Sequence, residues 1–318
     1  MNKTPILIDC DPGHDDLVAI LFAARHLDLV GVTTVHGNNT LASTTRNGLI
    51  ALEMGGLDHV PLAAGCAEPL AQASIGIADG HGKSGLDGAV LPEPARTPID
   101  MHAVDFIIET ARKRAGELVL ATIGPQTNVA MALKREPRLK GWLREITIMG
   151  GSTSTGNYTP AAEFNIACDV EAAWAVFESG VPLRMVGLNI TRVTGFDEGD
   201  IAKLRASGKR AAGLIADLMA FYLGTQKARY GLEVATMHDV CAVVPLVYPD
   251  LIDYLHTSVR IEAAGTLTRG MTVCDLRHPQ GSSIEHLRNR TAPNCQVAIA
   301  ARSRELSDRV LETLLDYD

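Results

Sequence analysis

Aromatic residues are scarce: two Trp, six Tyr and six Phe make up 4% of 318 positions. Basic charge is scarce too, with 29 Lys plus Arg against 37 Asp plus Glu and a net charge of -8. Nucleic-acid binding draws most of its affinity from neutralising phosphates, so this balance speaks against that class. It also offers no polybasic patch for an anionic membrane surface. No apolar run approaches the roughly 20 residues of a membrane-spanning helix. The short run at 6–8 is too brief for a secretory signal and is followed at once by acids. The six cysteines, at 10, 66, 168, 241, 274 and 295, contain no CxxC pair, which leaves zinc and thioredoxin-type readings unsupported. The expectation is a cytoplasmic protein whose thiols are reduced and mostly buried. Its 46% hydrophobic and 21% charged content is that of an ordinary globular chain, not of a disordered, collagenous or coiled-coil one.

What is present is alternation. Strand-like runs at 5–10, 29–35, 118–123, 145–149 and 183–186 are interleaved with helical patterns at 15–24, 40–54, 102–114, 128–135 and 170–179. A long helical pattern follows at 211–230, then β-like runs at 258–263 and 296–300 and a last helix at 304–315. Such a chain predicts one α/β domain over 1–318, with a mostly parallel sheet covered by helices on both faces. Ligands then bind beyond the carboxyl ends of the strands. The Gly-rich stretch at 75–91 reads as an irregular loop, long enough to serve as a lid.

The loop after the first strand is the most informative. Asp9, Asp11, Asp15 and Asp16 fall within eight residues, DCDPGHDD, around a Pro12-Gly13 turn. Capping of the next helix explains one or two of them. Four converging carboxylates raise one another's pKa, and a bound cation removes that conflict. All-oxygen ligands suit a hard ion, Ca²⁺ or Mg²⁺. A strand-end DxD also occurs in aspartate-nucleophile phosphatases, which remain an alternative. They place Thr or Val where Pro12-Gly13 stands.

Other strand ends carry polar groups that a mere connector does not need. His36-Gly37-Asn38-Asn39 follows the second strand, and Pro125-Gln126-Thr127-Asn128 follows VLATIG. Asn157, Glu163 and Asn165 follow ITIMGG. One Asn is most often a turn residue. Three such loops on one sheet edge present donors and acceptors suited to a polyhydroxylated ligand. Gly151 and Gly156 have Walker A spacing, but Asn157 stands where Lys is required, and there is no GxGxxG or GxSxG. His238-Asp239 precedes an apolar helical run and reads either as a surface His beside a capping Asp or as a general acid carried to the acidic cluster. Tyr222, Gln226 and Tyr230, spaced by four, share one helical face. They form either a half-buried stripe or a wall for a planar ligand.

These residues together resemble the nucleoside hydrolases (nucleoside N-ribohydrolases). The resemblance runs through DCDPGHDD at 9–16, HGNN at 36–39, DGHGKSG at 79–85, GPQTN at 124–128, IMGG at 148–151, GNYTPAAEFNIACDVEAA at 156–173 and MHDVCA at 237–242. It implies an α/β domain, assembled as a homodimer or, as favoured here, a homotetramer, that binds Ca²⁺ and hydrolyses ribonucleosides to ribose and free base. It implies metal ligation by Asp11, Asp16, the Thr127 carbonyl and Asp239. Asp15, Asn38, Asn157, Glu163, Asn165 and Asp239 would hold ribose hydroxyls, and Met149 would line the pocket. His81 and His238 would flank the base, and His238 implies action on inosine and pyrimidine nucleosides. Tyr222, Gln226 and Tyr230 best match the pyrimidine-preferring branch. His36 stands where many members carry a small apolar residue. Hydrolysis through an oxocarbenium-like state then makes Asp11 the candidate base and His238 the candidate acid. A non-catalytic nucleoside or ribose sensor would need neither Asp11 nor His238. A metal-dependent phosphohydrolase would need basic residues near the acids.

Overall fold

A computed structural model describes residues 3–76, 79–277 and 291–318. The strands of the main sheet are β1 (Pro5–Cys10), β2 (Asp28–Thr34), β3 (Leu62–Ala64), β4 (Leu118–Thr122), β5 (Leu143–Met149), β6 (Leu183–Val186), β9 (Ile252–Thr257) and β12 (Cys295–Ala301). Two short antiparallel ribbons pair β7 (Gly195–Phe196) with β8 (Ala235–Thr236) and β10 (Val259–Ile261) with β11 (Thr272–Cys274). The helices are α1 (His14–His26), α2 (Leu41–Met54), α3 (Ala103–Lys113), α4 (Thr127–Arg135), α5 (Leu139–Trp142), α6 (Phe164–Cys168), α7 (Val170–Phe177), α8 (Leu188–Thr191), α9 (Glu198–Ala206), α10 (Arg210–Tyr230) and α11 (Ser303–Leu315).

The main sheet has eight strands in the order β3-β2-β1-β4-β5-β6-β12-β9, parallel except for β9 against β12. Both faces are covered. Every residue of β1 is buried, as a central strand with helices on each side requires. Ile6 and Ile8 pack on the face held by α1, α10 and α11, while Leu7 packs on the opposite face with α3, α4 and α7. From β1 the chain runs one way along the sheet, through β2 to β3. It then returns to β4 on the other side of β1 and proceeds to β5 and β6. The strand order therefore reverses between β1 and β4, and a crevice opens beyond their carboxyl ends.

Local chemistry sets the boundaries. Thr40 caps α2 through Ser43 N (3.3 Å), and Asp169 caps α7 through Ala172 N (3.0 Å). Gly231, with φ of 64°, closes α10 in the left-handed conformation. The expected strands and helices form with shifted ends, except the helical run after His238. The sequence reading missed β3, which is three residues long, and β9, whose burial follows no alternation. It missed α9 as well. The helical run expected after His238 consists instead of 3₁₀ turns at Asp239–Ala242 and Val244–Leu246, broken by Pro245. The stretch at 75–91 is largely irregular, with one 3₁₀ turn at Asp79–His81, and residues 77 and 78 lie outside the described residues. Among the described residues, no helix is long and apolar enough to cross a membrane, and all six cysteines are free.

Candidate active site

Asp11 leaves the end of β1 and lies almost fully buried. Its Oδ2 accepts from Asn38 N (2.7 Å), and Asn38 Nδ2 donates to the Asp11 carbonyl (3.1 Å). The loop after β2 is thereby locked onto the loop after β1. The turn at Pro12-Gly13 delivers Asp15 and Asp16 at the start of α1, where the helix dipole favours negative charge. Asp16 Oδ2 accepts from Gly13 N (2.9 Å), whereas Asp16 Oδ1 is buried without a partner. Asp15 Oδ2 accepts from His238 N (3.2 Å), which fixes the segment after β8 against α1. Asp239 follows, and one carboxylate oxygen from each of Asp15, Asp16 and Asp239 lies within 4.8 Å of the others. Thr127 is fully buried at the first turn of α4.

The electrostatics follow from that crowding. Burial first, then the Asp16 charge, pushes Asp15 up to about 8. Burial pushes Asp16 up to about 6. Asp11 and Asp239 move well above the usual carboxylate range, by burial first and neighbouring carboxylates second. Together with the orphaned Asp16 oxygen, these groups fit a hard divalent cation, which supplies the missing positive charge.

Beyond the acids opens a cavity of about 470 Å³. Asp11, Asp15, Asn38 and Asp239 line one side, while Asp16 and Thr127 do not reach its surface. Met149, at the end of β5, also lines the cavity, with Asn157, Glu163 and Asn165. Glu163 caps α6 through Asn165 N (2.9 Å) and Ile166 N (3.1 Å) and accepts from Gly151 N (3.0 Å). Asn165 Nδ2 donates to the carbonyls of Ile123 (2.9 Å) and Met149 (3.2 Å). Asn157 is exposed, and its Oδ1 accepts from Phe164 N (2.9 Å).

Another wall is aromatic. Tyr222 and Gln226 on α10 are buried, while Tyr230 stands 57% exposed at the rim. All three line the cavity, the first two from its interior and Tyr230 from its mouth. His81 stacks on Tyr222 with ring centroids 4.8 Å apart. His238 lines the cavity with Nδ1 2.7 Å from Thr191 Oγ1 and Nε2 3.0 Å from Thr236 Oγ1. Burial, helped by the Arg192 charge, lowers it to about 4. The site thus gathers every residue expected from the sequence around one cavity except Asp16, which joins Asp15 and Asp239 behind its surface, and Thr127, whose side chain contacts His36 and Asp169 instead. It adds residues that the sequence reading did not assign: His14, Phe164, Arg192 and Arg229. His14 sits inside the acidic motif itself, so its place there was the available signal. The arginines come from segments with no distinguishing pattern.

A family profile described as "Inosine-uridine preferring nucleoside hydrolase" matches residues 6–308. The chain is 42% identical over 277 residues to the pyrimidine-specific ribonucleoside hydrolase RihB of Escherichia coli K12, covering 86% of this chain and 88% of that protein. Among solved structures, the purine-preferring ribonucleoside hydrolase from Gardnerella vaginalis superposes with a TM-score of 0.90 at 29% identity, over 98% of both chains. The plant nucleoside hydrolase PpNRh1 superposes at 0.89 with 30% identity, over 99% of both. The chain therefore belongs to the inosine-uridine preferring nucleoside hydrolases, enzymes that cleave N-glycosidic bonds.

Proposed function

We propose that the protein hydrolyses uridine, cytidine and inosine to ribose and free base, with Ca²⁺ as its resident ion, as a homotetramer in the cytoplasm. The observation that carries this reading is the cluster of Asp15, Asp16 and Asp239 at a cavity that Asp15, Asp239, Glu163 and Asn165 line together. Asp11, Asp16, Asp239 and the Thr127 carbonyl would hold the ion. When bound, Ca²⁺ balances the carboxylate charge and orients a water toward the anomeric carbon.

The chain's own residues perform the rest. Asp11 takes a proton from the attacking water as its oxygen bonds to C1′. The bond from C1′ to the base nitrogen breaks, and its electron pair leaves with the base. Asp15 and Glu163 place negative charge around the ribose, where positive charge builds. Asn38, Asn157, Asn165 and Asp239 bind its hydroxyls. Burial keeps His238 neutral, so it offers a ring N–H to the departing base as negative charge grows there, once the base displaces one threonine hydroxyl; the released base anion then takes a proton from solvent, and Asp11 gives the water's proton back to solvent. Tyr222 and Gln226 meet the planar base, with Tyr230 at the rim and Met149 beneath the sugar. The 42% identity to a pyrimidine-specific relative supports the pyrimidine preference.

The test is reducing-sugar release from uridine, cytidine, inosine and adenosine, before and after chelation. Ribose release that falls on chelation and returns with Ca²⁺ is expected, with adenosine the poorest substrate. No release from any nucleoside by metal-loaded protein overturns the reading.

A further inference from the structure

We propose that Arg192 is a positioning residue: its guanidinium fork pins the loop at 152–157 to the body of the protein, so that the Asn157 amide is held where a ribose hydroxyl meets it. This rests on the nucleoside-hydrolase reading of the cavity.

The loop between β5 and α6 has little apolar burial to hold it. Ser154, Thr155, Asn157 and Tyr158 are all exposed. Ordering such a segment costs backbone freedom at every residue, and hydrogen bonds must supply what packing does not. The near end is tied down at Ser152, whose N–H donates to Thr272 Oγ1 (2.8 Å) and whose carbonyl accepts from it (2.7 Å). The far end folds on itself. Asn157 N donates to the Ala162 carbonyl (3.2 Å), and Asn157 Oδ1 accepts from Phe164 N (2.9 Å). Between these ends stands Arg192. Its Nη1 donates to Thr155 Oγ1 (2.9 Å) and its Nη2 to the Gly156 carbonyl. A charged donor strengthens both bonds, and a planar fork fixes two acceptors at once.

The fork has a firm base. Arg192 ends α8, a single turn held to β12 by Asn189 Nδ2 on the Ala298 carbonyl (2.9 Å). Leu188 N on the Gly151 carbonyl (2.9 Å) joins the same turn to the start of the loop. Arg192 and Asn157 line one cavity. With Oδ1 given to Phe164 N, Asn157 offers its Nδ2 hydrogens, which a hydroxyl oxygen of ribose accepts. The Arg192 charge is also felt at His238, so a variant that keeps the charge and loses the fork separates the two effects.

The experiment is steady-state kinetics on the full-length, Ca²⁺-supplemented protein. KM for uridine is expected to rise about tenfold in Arg192→Met and in Asn157→Ala, as for one lost hydrogen bond, with kcat changed less. The double variant should show no further rise, because Arg192 acts through Asn157. Arg192→Lys keeps the charge but cannot hold both acceptors, so KM still rises, by about threefold. Thr155→Val, which removes one acceptor and leaves Arg192 intact, should match it. Inhibition by 2′-, 3′- and 5′-deoxyuridine then locates the hydroxyl: the analogue lacking it binds wild type and Arg192→Met equally. A rise of about a hundredfold in the double variant overturns the proposal. So does a wild-type KM in Arg192→Met or Arg192→Lys, or a tenfold ratio that persists for every analogue. Hydrogen exchange at the amides of 153–158 needs no turnover and should be faster in Arg192→Met than in wild type; equal exchange also overturns the proposal. Absence of ribose release from wild type sinks the hydrolase reading instead, and leaves the exchange measurement standing.

Discussion

Single side chains at this site act through neighbours that lie far away in sequence. His36 Nε2 is 3.1 Å from Thr127 Oγ1, which donates to Asp169 Oδ2 at 2.8 Å. Because the carboxylate takes the threonine proton, the hydroxyl oxygen accepts from His36. The three residues come from the loop after β2, the start of α4 and the cap of α7, and together they clamp Thr127 in place. His36→Ala should therefore weaken Ca²⁺ binding about tenfold by calorimetry, as expected for a residue that orients a metal ligand. An unchanged affinity removes His36 from the site. Asp11→Ala should lose both the retained metal and ribose release, and full turnover would remove Asp11 from the mechanism. His238→Ala should lower kcat by about 10²–10⁴ while KM changes little, read from steady-state kinetics on uridine. Asp9, the fourth acid of the DCDPGHDD motif, does not join the site: it accepts from Thr33 Oγ1 (2.6 Å) and Asn128 Nδ2 (2.8 Å) and does not line the cavity. The other three acids were legible because they crowd that motif. The role of His36 was not, because its partner Asp169 is distant in the chain and both residue types are common elsewhere.

At the scale of elements, the loops after β2 and β4 close on the end of β1 only because glycine stands in each. A Cβ at Gly37, whose φ is +150°, would lie 2.1 Å from Asp11 Oδ2, and one at Gly124 would lie 2.4 Å from Asp11 Oδ1. Neither approach survives a side chain unless Asp11 moves. Gly124→Ala should thus cost about 1–3 kcal/mol of stability and weaken Ca²⁺ binding at least tenfold. Gly141→Ala, with nothing within 4 Å of its Cβ, should leave both unchanged. Denaturant unfolding and calorimetry on the two variants check this, and equal behaviour would refute the packing argument. Periodicity made the central strands readable, since buried parallel strands are continuous apolar runs such as PILI and LVLA. The edges escaped it. β3 is short, and β9 mixes exposed and buried residues in IDYLHT, so neither carries a burial period of two. The strand order was not written locally either, because it depends on which crossover reverses direction at β4.

For the molecule as a whole, burying four carboxyls beneath one cavity makes stability depend on pH and on metal together. Asp15 is pushed up to about 8 from an ordinary value of 3.8, so the metal-free folded chain holds its proton more tightly than the unfolded chain does. That contribution is complete at low pH and is lost as pH rises toward 8. His14 and His238 are lowered to about 4 from 6.5, and their contribution runs the other way, lost as pH falls from 6.5 toward 4. The two sets oppose each other below 6.5, and above it the acids act alone. Between pH 6.5 and 8 the metal-free protein should therefore lose about 2 kcal/mol from Asp15, a fall in Tm of a few degrees. Saturating Ca²⁺ should abolish that slope, because a cation holds the carboxylates ionised and releases their protons on binding. Scanning calorimetry at pH 6.5 and 8.0, chelated and Ca²⁺-loaded, reads both effects. A metal-free Tm that rises over this interval would mean that the acidic cluster is ionised without a cation. The site's charge would then have to be balanced by groups other than a bound metal.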